Sequence, residues 1–171
     1  TISGDKPGDE LVIDATRLDA DATLSQSGAA DQTVSGLVTD ISATDLRGEL
    51  TVTTGDAADG AINISTGSAD SSITANGDDD TISIDASAMD ADSTLALSGT
   101  ATFDASDLQA NTDASGTSGD VTLSYGAVSD GTAAITTGSG TTTISGNTAG
   151  DELEIDATRL DADATLSQSG A

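Results

Sequence analysis

The chain has 171 residues and a formal net charge of -26, from 30 acidic and 4 basic residues, with no histidine, cysteine or tryptophan and a single tyrosine and phenylalanine. Such a chain is not expected to bind nucleic acid, which needs Lys and Arg at phosphates and rings against bases, nor an anionic membrane surface, which would repel it. Without cysteine there is neither a disulfide framework nor a thiolate metal site, and no apolar run approaches the roughly 20 residues of a membrane-spanning helix, so no membrane insertion is expected.

Along the chain, Ile2 is followed by a turn holding the one proline, Pro7, and then by Leu11, Val12 and Ile13. Strand-like runs recur as "ELTVTT" at 49–54, "AINIST" at 61–66, "SSITA" at 71–75, "DTISID" at 80–85, "STLALS" at 93–98 and "DVTLSY" at 120–125. Between them, "GDAADG", "GSAD" and "NGDDD" supply residues that accept left-handed backbone or bond their own main chain. Strand starts fall about a dozen residues apart, the spacing of regular all-β architectures.

The chain repeats itself. Gly8 to Leu24 matches Asp79 to Leu95, shifted by 71, at 9 of 17 positions, and Gly8 to Ala29 matches Gly150 to Ala171, shifted by 142, at all of 22 positions but Val12 against Glu154. No insertion interrupts the register, which divides the chain into unit 1 (1–71), unit 2 (72–142) and a partial unit 3 (143–171), with a 142-residue super-repeat above them. Ile2/Ile73/Ile144, Leu11/Ile82/Leu153, Ile13/Ile84/Ile155, Leu24/Leu95/Leu166, Leu37/Leu108 and Ile64/Ile135 stay apolar in every copy. Between two of these, Val12/Ser83/Glu154 varies freely, the signature of a strand with one buried face. Phe103 stands where unit 1 has Gln32 and is therefore expected at the surface or rim.

Two all-β folds compete. Tandem small β-sandwiches would each need a closed core, and units this small usually need staples that this chain lacks. A parallel β-solenoid of 71-residue repeats supplies from neighbouring copies the burial that one unit lacks, so the first partners of each unit are the adjoining repeats of the same chain. The solenoid is the expected fold. A rung of about 24 residues, within the range of known solenoid repeats, would give three rungs per unit, two-sided or triangular.

"SITANGDDDTISIDASAMDADSTLALSG" and "LRGELTVTTGDAADGAINISTGS" resemble repeats of very large secreted bacterial surface proteins, the RTX-associated giant adhesins and the matrix or surface-layer proteins. The resemblance covers essentially the whole chain and implies an extracellular or cell-surface location. Of the RTX nonapeptide Gly-Gly-x-Gly-x-Asp-x-U-x, where U is a large apolar residue, the Asp and apolar positions match Asp9/Leu11, Asp80/Ile82 and Asp151/Leu153. The first glycine matches Gly4 and Gly146 but is Ala75 in unit 2; the second and third are missing throughout, a departure from that family's regular calcium ladder.

Catalysis is not expected, since without His or Cys no Ser or Thr has an ordinary base beside it and an active site is unique where this chain is repetitive. Calcium needs only oxygen ligands, six to eight of them. The candidate metal ligands are the Asp-Ala-Asp pairs Asp19/Asp21, Asp90/Asp92 and Asp161/Asp163, together with Asp80 at the end of the run Asp78, Asp79, Asp80. Carboxylates stacked on adjacent rungs about 4.8 Å apart would repel one another, and a divalent cation would reverse the sign. The competing reading of these residues is as solvent-facing turn caps. Taken together, the sequence predicts a stiff structural segment of a long bacterial surface protein, able to form a homo-oligomer or filament, with a calcium-dependent adhesin module binding glycans or surfaces as the alternative.

Overall fold

A computed structural model describes residues 1–57, 60–128, 131–146 and 148–170. Its described residues form seventeen strands and no helix. In unit 1 these are β1 (Ile2–Gly4), β2 (Glu10–Asp14), β3 (Thr23–Gly28), β4 (Asp31–Leu37), β5 (Asp40–Leu46), β6 (Leu50–Thr54) and β7 (Ala61–Ser65). Then follow β8 (Ser71–Ala75), β9 (Thr81–Asp85), β10 (Thr94–Gly99), β11 (Thr102–Leu108), β12 (Asn111–Thr117), β13 (Val121–Tyr125) and β14 (Thr132–Thr136). The chain closes with β15 (Thr142–Gly146), β16 (Glu152–Asp156) and β17 (Leu166–Ser169).

Every pairing is parallel and joins strands two apart in sequence. The odd-numbered strands make one nine-stranded sheet and the even-numbered strands one eight-stranded sheet. The chain is therefore a two-sided parallel β-solenoid of about eight turns, one strand of each turn in each sheet, and not a row of sandwiches. Alternation builds the core between the sheets: in β6, Leu50, Val52 and Thr54 point inward while Thr51 and Thr53 face out. Ile62, Ile73, Ile82, Phe103 and Leu123 are among its fully buried members.

The solenoid has no seam at the repeat boundaries. The step from 71 to 72 lies inside β8 and the step from 142 to 143 inside β15. Each unit contributes seven strands, so a shift of 71 carries β1 onto β8, β2 onto β9 and β3 onto β10, always into the opposite sheet. A unit is thus three and a half turns, not three. Only after fourteen strands, at the doubled shift, does an element return to its own sheet, as β2 does at β16 and β3 at β17. The super-repeat is the shortest shift that restores both sequence and side.

Turns differ in length. The short ones carry Thr23 round to face Asp40 and Thr94 round to face Asn111, while the long ones carry Ile2 to Gln26, Ser71 to Leu95 and Thr142 to Leu166. The rung length expected from sequence is met by these long turns, each of which carries an Asp-Ala-Asp loop, and nearly by the steps from Ile41 to Ile64 and from Thr112 to Ile135, which carry none; the other turns are shorter. Glycine permits the closest approaches between turns. A Cβ on Gly48 would lie 2.2 Å from the Ala30 carbonyl oxygen, and one on Gly119, its counterpart in unit 2, 2.1 Å from that of Ala101.

Phe103 is a correction to the sequence reading, for it is fully buried, not at the rim. Its counterpart Gln32 is interior too, with its amide N–H donating to the Ser27 carbonyl at 3.1 Å. Gln26 is likewise buried where unit 2 has Leu97. One interior therefore holds Gln26 and Gln32 in unit 1 and Leu97 and Phe103 in unit 2.

Candidate functional site

The carboxylates divide into three groups by what they touch. The first group bridges turns. Asp31 accepts the Glu49 N–H at 2.9 Å, Asp40 the Asn63 N–H at 2.8 Å, Asp70 the Thr94 N–H at 2.8 Å, and Asp120 the Thr141 N–H at 3.2 Å. Asp80 accepts from Ala57 N–H at 3.3 Å, and Asp151, its counterpart in unit 3, from Val128 N–H at 2.9 Å. Asp31, Asp40, Asp70 and Asp120 each stand opposite the residue whose amide they accept, one step before the pairs Gln32/Leu50, Ile41/Ile64, Ser71/Leu95 and Val121/Thr142, so the carboxylate pairs an amide at the very start of the ladder. Asp9, the counterpart in unit 1, instead pairs with Lys6 at 3.2 Å.

A second group closes local turns at strand ends. Asp14, Asp85 and Asp156 each accept the backbone N–H two residues on, from Thr16, Ser87 and Thr158 at 3.0 Å in every case. The Thr16 hydroxyl, with its backbone N–H, holds the Asp14 carboxyl below the usual carboxylate range. At Asp156 the Thr158 N–H leads, with the Thr158 hydroxyl and the nearby Arg159 charge adding to it.

The Asp-Ala-Asp pairs form the third group. The carboxylates of Asp19, Asp21, Asp90, Asp92, Asp161 and Asp163 all belong to exposed residues. Each copy folds as two consecutive turns, closed in unit 1 by Leu18 N–H to Ala15 at 3.1 Å and Ala22 N–H to Asp19 at 2.9 Å, and in unit 2 by Met89 to Ala86 and Ser93 to Asp90, both at 3.0 Å. In unit 3 the same turns join Leu160 to Ala157 at 3.3 Å and Ala164 to Asp161 at 3.0 Å. Because consecutive copies lie half a turn out of phase, the loops of Asp19/Asp21 and Asp161/Asp163 share one edge of the solenoid and the loop of Asp90/Asp92 lies on the other. Successive pairs are separated by three and a half turns, about 17 Å along the axis at strand spacing. Asp19 and Asp21 therefore do not lie on the rung next to Asp90 and Asp92, nor do Asp161 and Asp163. No two of these pairs can share one cation.

Two shallow edge grooves gather other acids around the candidates. Asp90 and Asp92 share one with Glu49, Asp70 and Ser68, while Asp80 shares another with Asp56, Asn76, Asp78 and Asp79. Oxygen donors of this kind suit a hard cation, but among the described residues no three acidic groups converge in a geometry that holds a metal ion, Asp21 and Asp163 included. Asp80, buried and bonded to Ala57, serves the backbone first.

The bridging role of Asp31, Asp40, Asp70 and Asp120 escaped sequence reading, since these positions are not Asp in every copy. Asp14/Asp85/Asp156 left a readable trace, being invariant and followed in each copy by Ala and then Ser or Thr. The lone phenol, Tyr125, is buried in the core, its hydroxyl 2.7 Å from that of Thr112. Burial pushes its pKa up to about 12, overriding the Thr112 hydrogen bond, so it neither ionises nor trades protons near neutral pH.

The fold defines the class: a two-sided parallel β-solenoid with an acidic, turn-capping exterior. No protein family, curated protein or solved structure matches the chain.

Proposed function

We propose that the chain is a structural segment of a long extracellular bacterial surface or matrix protein: a stiff acidic spacer, able to assemble end to end into a fibre, and not an enzyme. The observation that carries this reading is the absence of a seam, because β8 and β15 run straight through the repeat boundaries and one core passes from unit to unit. A body built this way lengthens by adding copies without adding joints. Its acidic flanks keep rods from adhering side by side. The carboxylates with backbone partners cap amides, which is a scaffold's use of them.

Small-angle scattering tests this directly. Rods of constant cross-section are expected, with a mean length that grows with protein concentration at high salt. Particles of one fixed length at every concentration would remove the fibre.

A second reading, a calcium-dependent adhesin module for glycans or surfaces, draws on the groove shared by Glu49, Asp70, Asp90 and Asp92. Under it, millimolar calcium raises the melting temperature followed by β-sheet circular dichroism; an unmoved Tm eliminates it.

A further inference from the structure

Four successive turns of the eight-stranded sheet carry one pattern on their outer face. Thr33, Val34 and Ser35 of β4 lie beside Thr51, Val52 and Thr53 of β6, these beside Ser72, Ile73 and Thr74 of β8, and these beside Ala96, Leu97 and Ser98 of β10. The middle residue of each triplet is buried and its two neighbours face outward, so hydroxyls stand in two ranks across the sheet with Ala96 as the one gap. The turns between them differ in length, which hides the ranks from any fixed sequence shift. Thr51, Thr53 and Ser72 are exposed, and their hydroxyls have no protein partner among the described residues. Thr74 and Ser98 share a hydrogen bond from turn to turn at 2.8 Å. In a chain of 30 acidic residues these four strands carry a single one, Asp31 at the start of β4. At a shift of 71 the pattern recurs on the opposite sheet, with Thr122, Leu123 and Ser124 of β13 beside Thr143, Ile144 and Ser145 of β15.

We propose that this field binds ice, its hydroxyls taking the places of water oxygens in the outermost layer of the lattice. Along a rank the step is the strand spacing, about 4.8 Å, and between ranks it is two residues of strand, about 6.7 Å. Water in tetrahedral hydrogen bonds of about 2.75 Å places second-neighbour oxygens about 4.5 Å apart and repeats its stacked layers about every 7.3 Å. Each step of the grid is thus within about a tenth of a spacing in ice, and over four turns the misfit along a rank sums to about 1 Å. The hydrogen-bonded backbone beneath fixes the grid in advance, so little ordering is left to be done at the ice surface. Lack of charge serves the same end, since a carboxylate holds its own hydration shell and has no place in a neutral lattice. Polysaccharide solids also present hydroxyls, but proteins grip them chiefly by laying aromatic rings on sugar faces, and Phe103 and Tyr125 are both buried. One chain carries the whole field, whether or not chains join into fibres.

Slow growth of ice from a dilute solution of the whole chain tests this, with protein in the ice and in the residual liquid measured by mass spectrometry, and with grain growth in fine-grained ice followed by microscopy. The chain should be enriched in the ice and should slow the growth of its grains. Thr51→Tyr/Thr53→Tyr, whose rings interrupt both ranks, should lose most of each effect at an unchanged Tm, and adding Thr143→Tyr should remove what the opposite field supplies. Glu154→Tyr, on an exposed residue of β16 outside both fields, should keep both effects. Where the Tyr pair lowers Tm, Thr53→Lys places a flexible side chain at an exposed position and makes the same test. Exclusion of the parent chain from ice, or equal enrichment of parent and folded variant, overturns the proposal. So does a field that instead holds the chain to cellulose or to a second copy, read as retention on the solid or as a dimer in light scattering that the same variants abolish, with no effect on ice.

Discussion

At the scale of single residues, comparison of copies predicts which substitutions the scaffold resists. Gly36 and Asp107 occupy one repeat position, at a bulge, with φ of 65° and 55°, and Asp107 is the one non-glycine among the described residues in left-handed backbone. Asp tolerates that region better than most residues, but still at a cost of roughly 1 kcal/mol. Asp107→Gly is therefore expected to raise stability in urea melts by up to about that amount, partly offset by unfolded-chain entropy. Tyr125→Phe leaves the Thr112 hydroxyl buried without its 2.7 Å partner and should lower stability by about 1 to 2 kcal/mol, measured in the same melts. Inside and outside were legible in the sequence wherever copies agreed, as at Ile64/Ile135. Phe103 was not: a polar counterpart suggested the surface, and nothing in the sequence says that Gln32 donates its amide N–H to the Ser27 carbonyl inside the core.

At the scale of strands and turns, Asp14 and Asp156 act only while ionised. Their carboxyls titrate below the ordinary value, so their contribution is complete above the unfolded pKa of about 3.9 and is lost as pH falls through the lower folded value. Asp14→Ala is expected to lower Tm at pH 7 and to leave it equal to that of the parent near pH 2, a convergence that thermal melts across pH would show. A gap that persists in acid would mean that Asp14 acts by packing. Strand positions were readable from period-two alternation and turn residues. The number of strands per turn was not, because loops stretch some turns well beyond others: Thr23 faces Asp40 but Ile2 faces Gln26, and the swollen turn sets the apparent period. The same blindness hid where Asp19/Asp21, Asp90/Asp92 and Asp161/Asp163 lie, since opposite edges of a coil look alike in sequence.

For the whole molecule, stability comes from neighbours on both sides. Ile73 in the middle of the stack is fully buried, whereas Ile13 in the first turns is only partly so. Ile73→Ala should cost about 2 to 5 kcal/mol and Ile13→Ala clearly less, compared by chemical denaturation. The same gradient should appear in amide exchange, slowest from β6 to β13 and fastest at β1, β2, β16 and β17. Equal losses at both sites would mean that the stack does not fray from its ends.

The half-integer count of turns per unit has a further bearing on how such a rod meets its surroundings. Turning the coil over by 180° and sliding it about 17 Å, three and a half strand spacings, brings each unit's backbone onto the next unit's, with related side chains outermost. The two broad faces are thus alike in backbone and unlike in side chains, Val12 and Glu154 pointing out from one sheet where Ser83 points out from the other. A partner that reads the main-chain relief could settle on either side, whereas one that reads charge would choose between them.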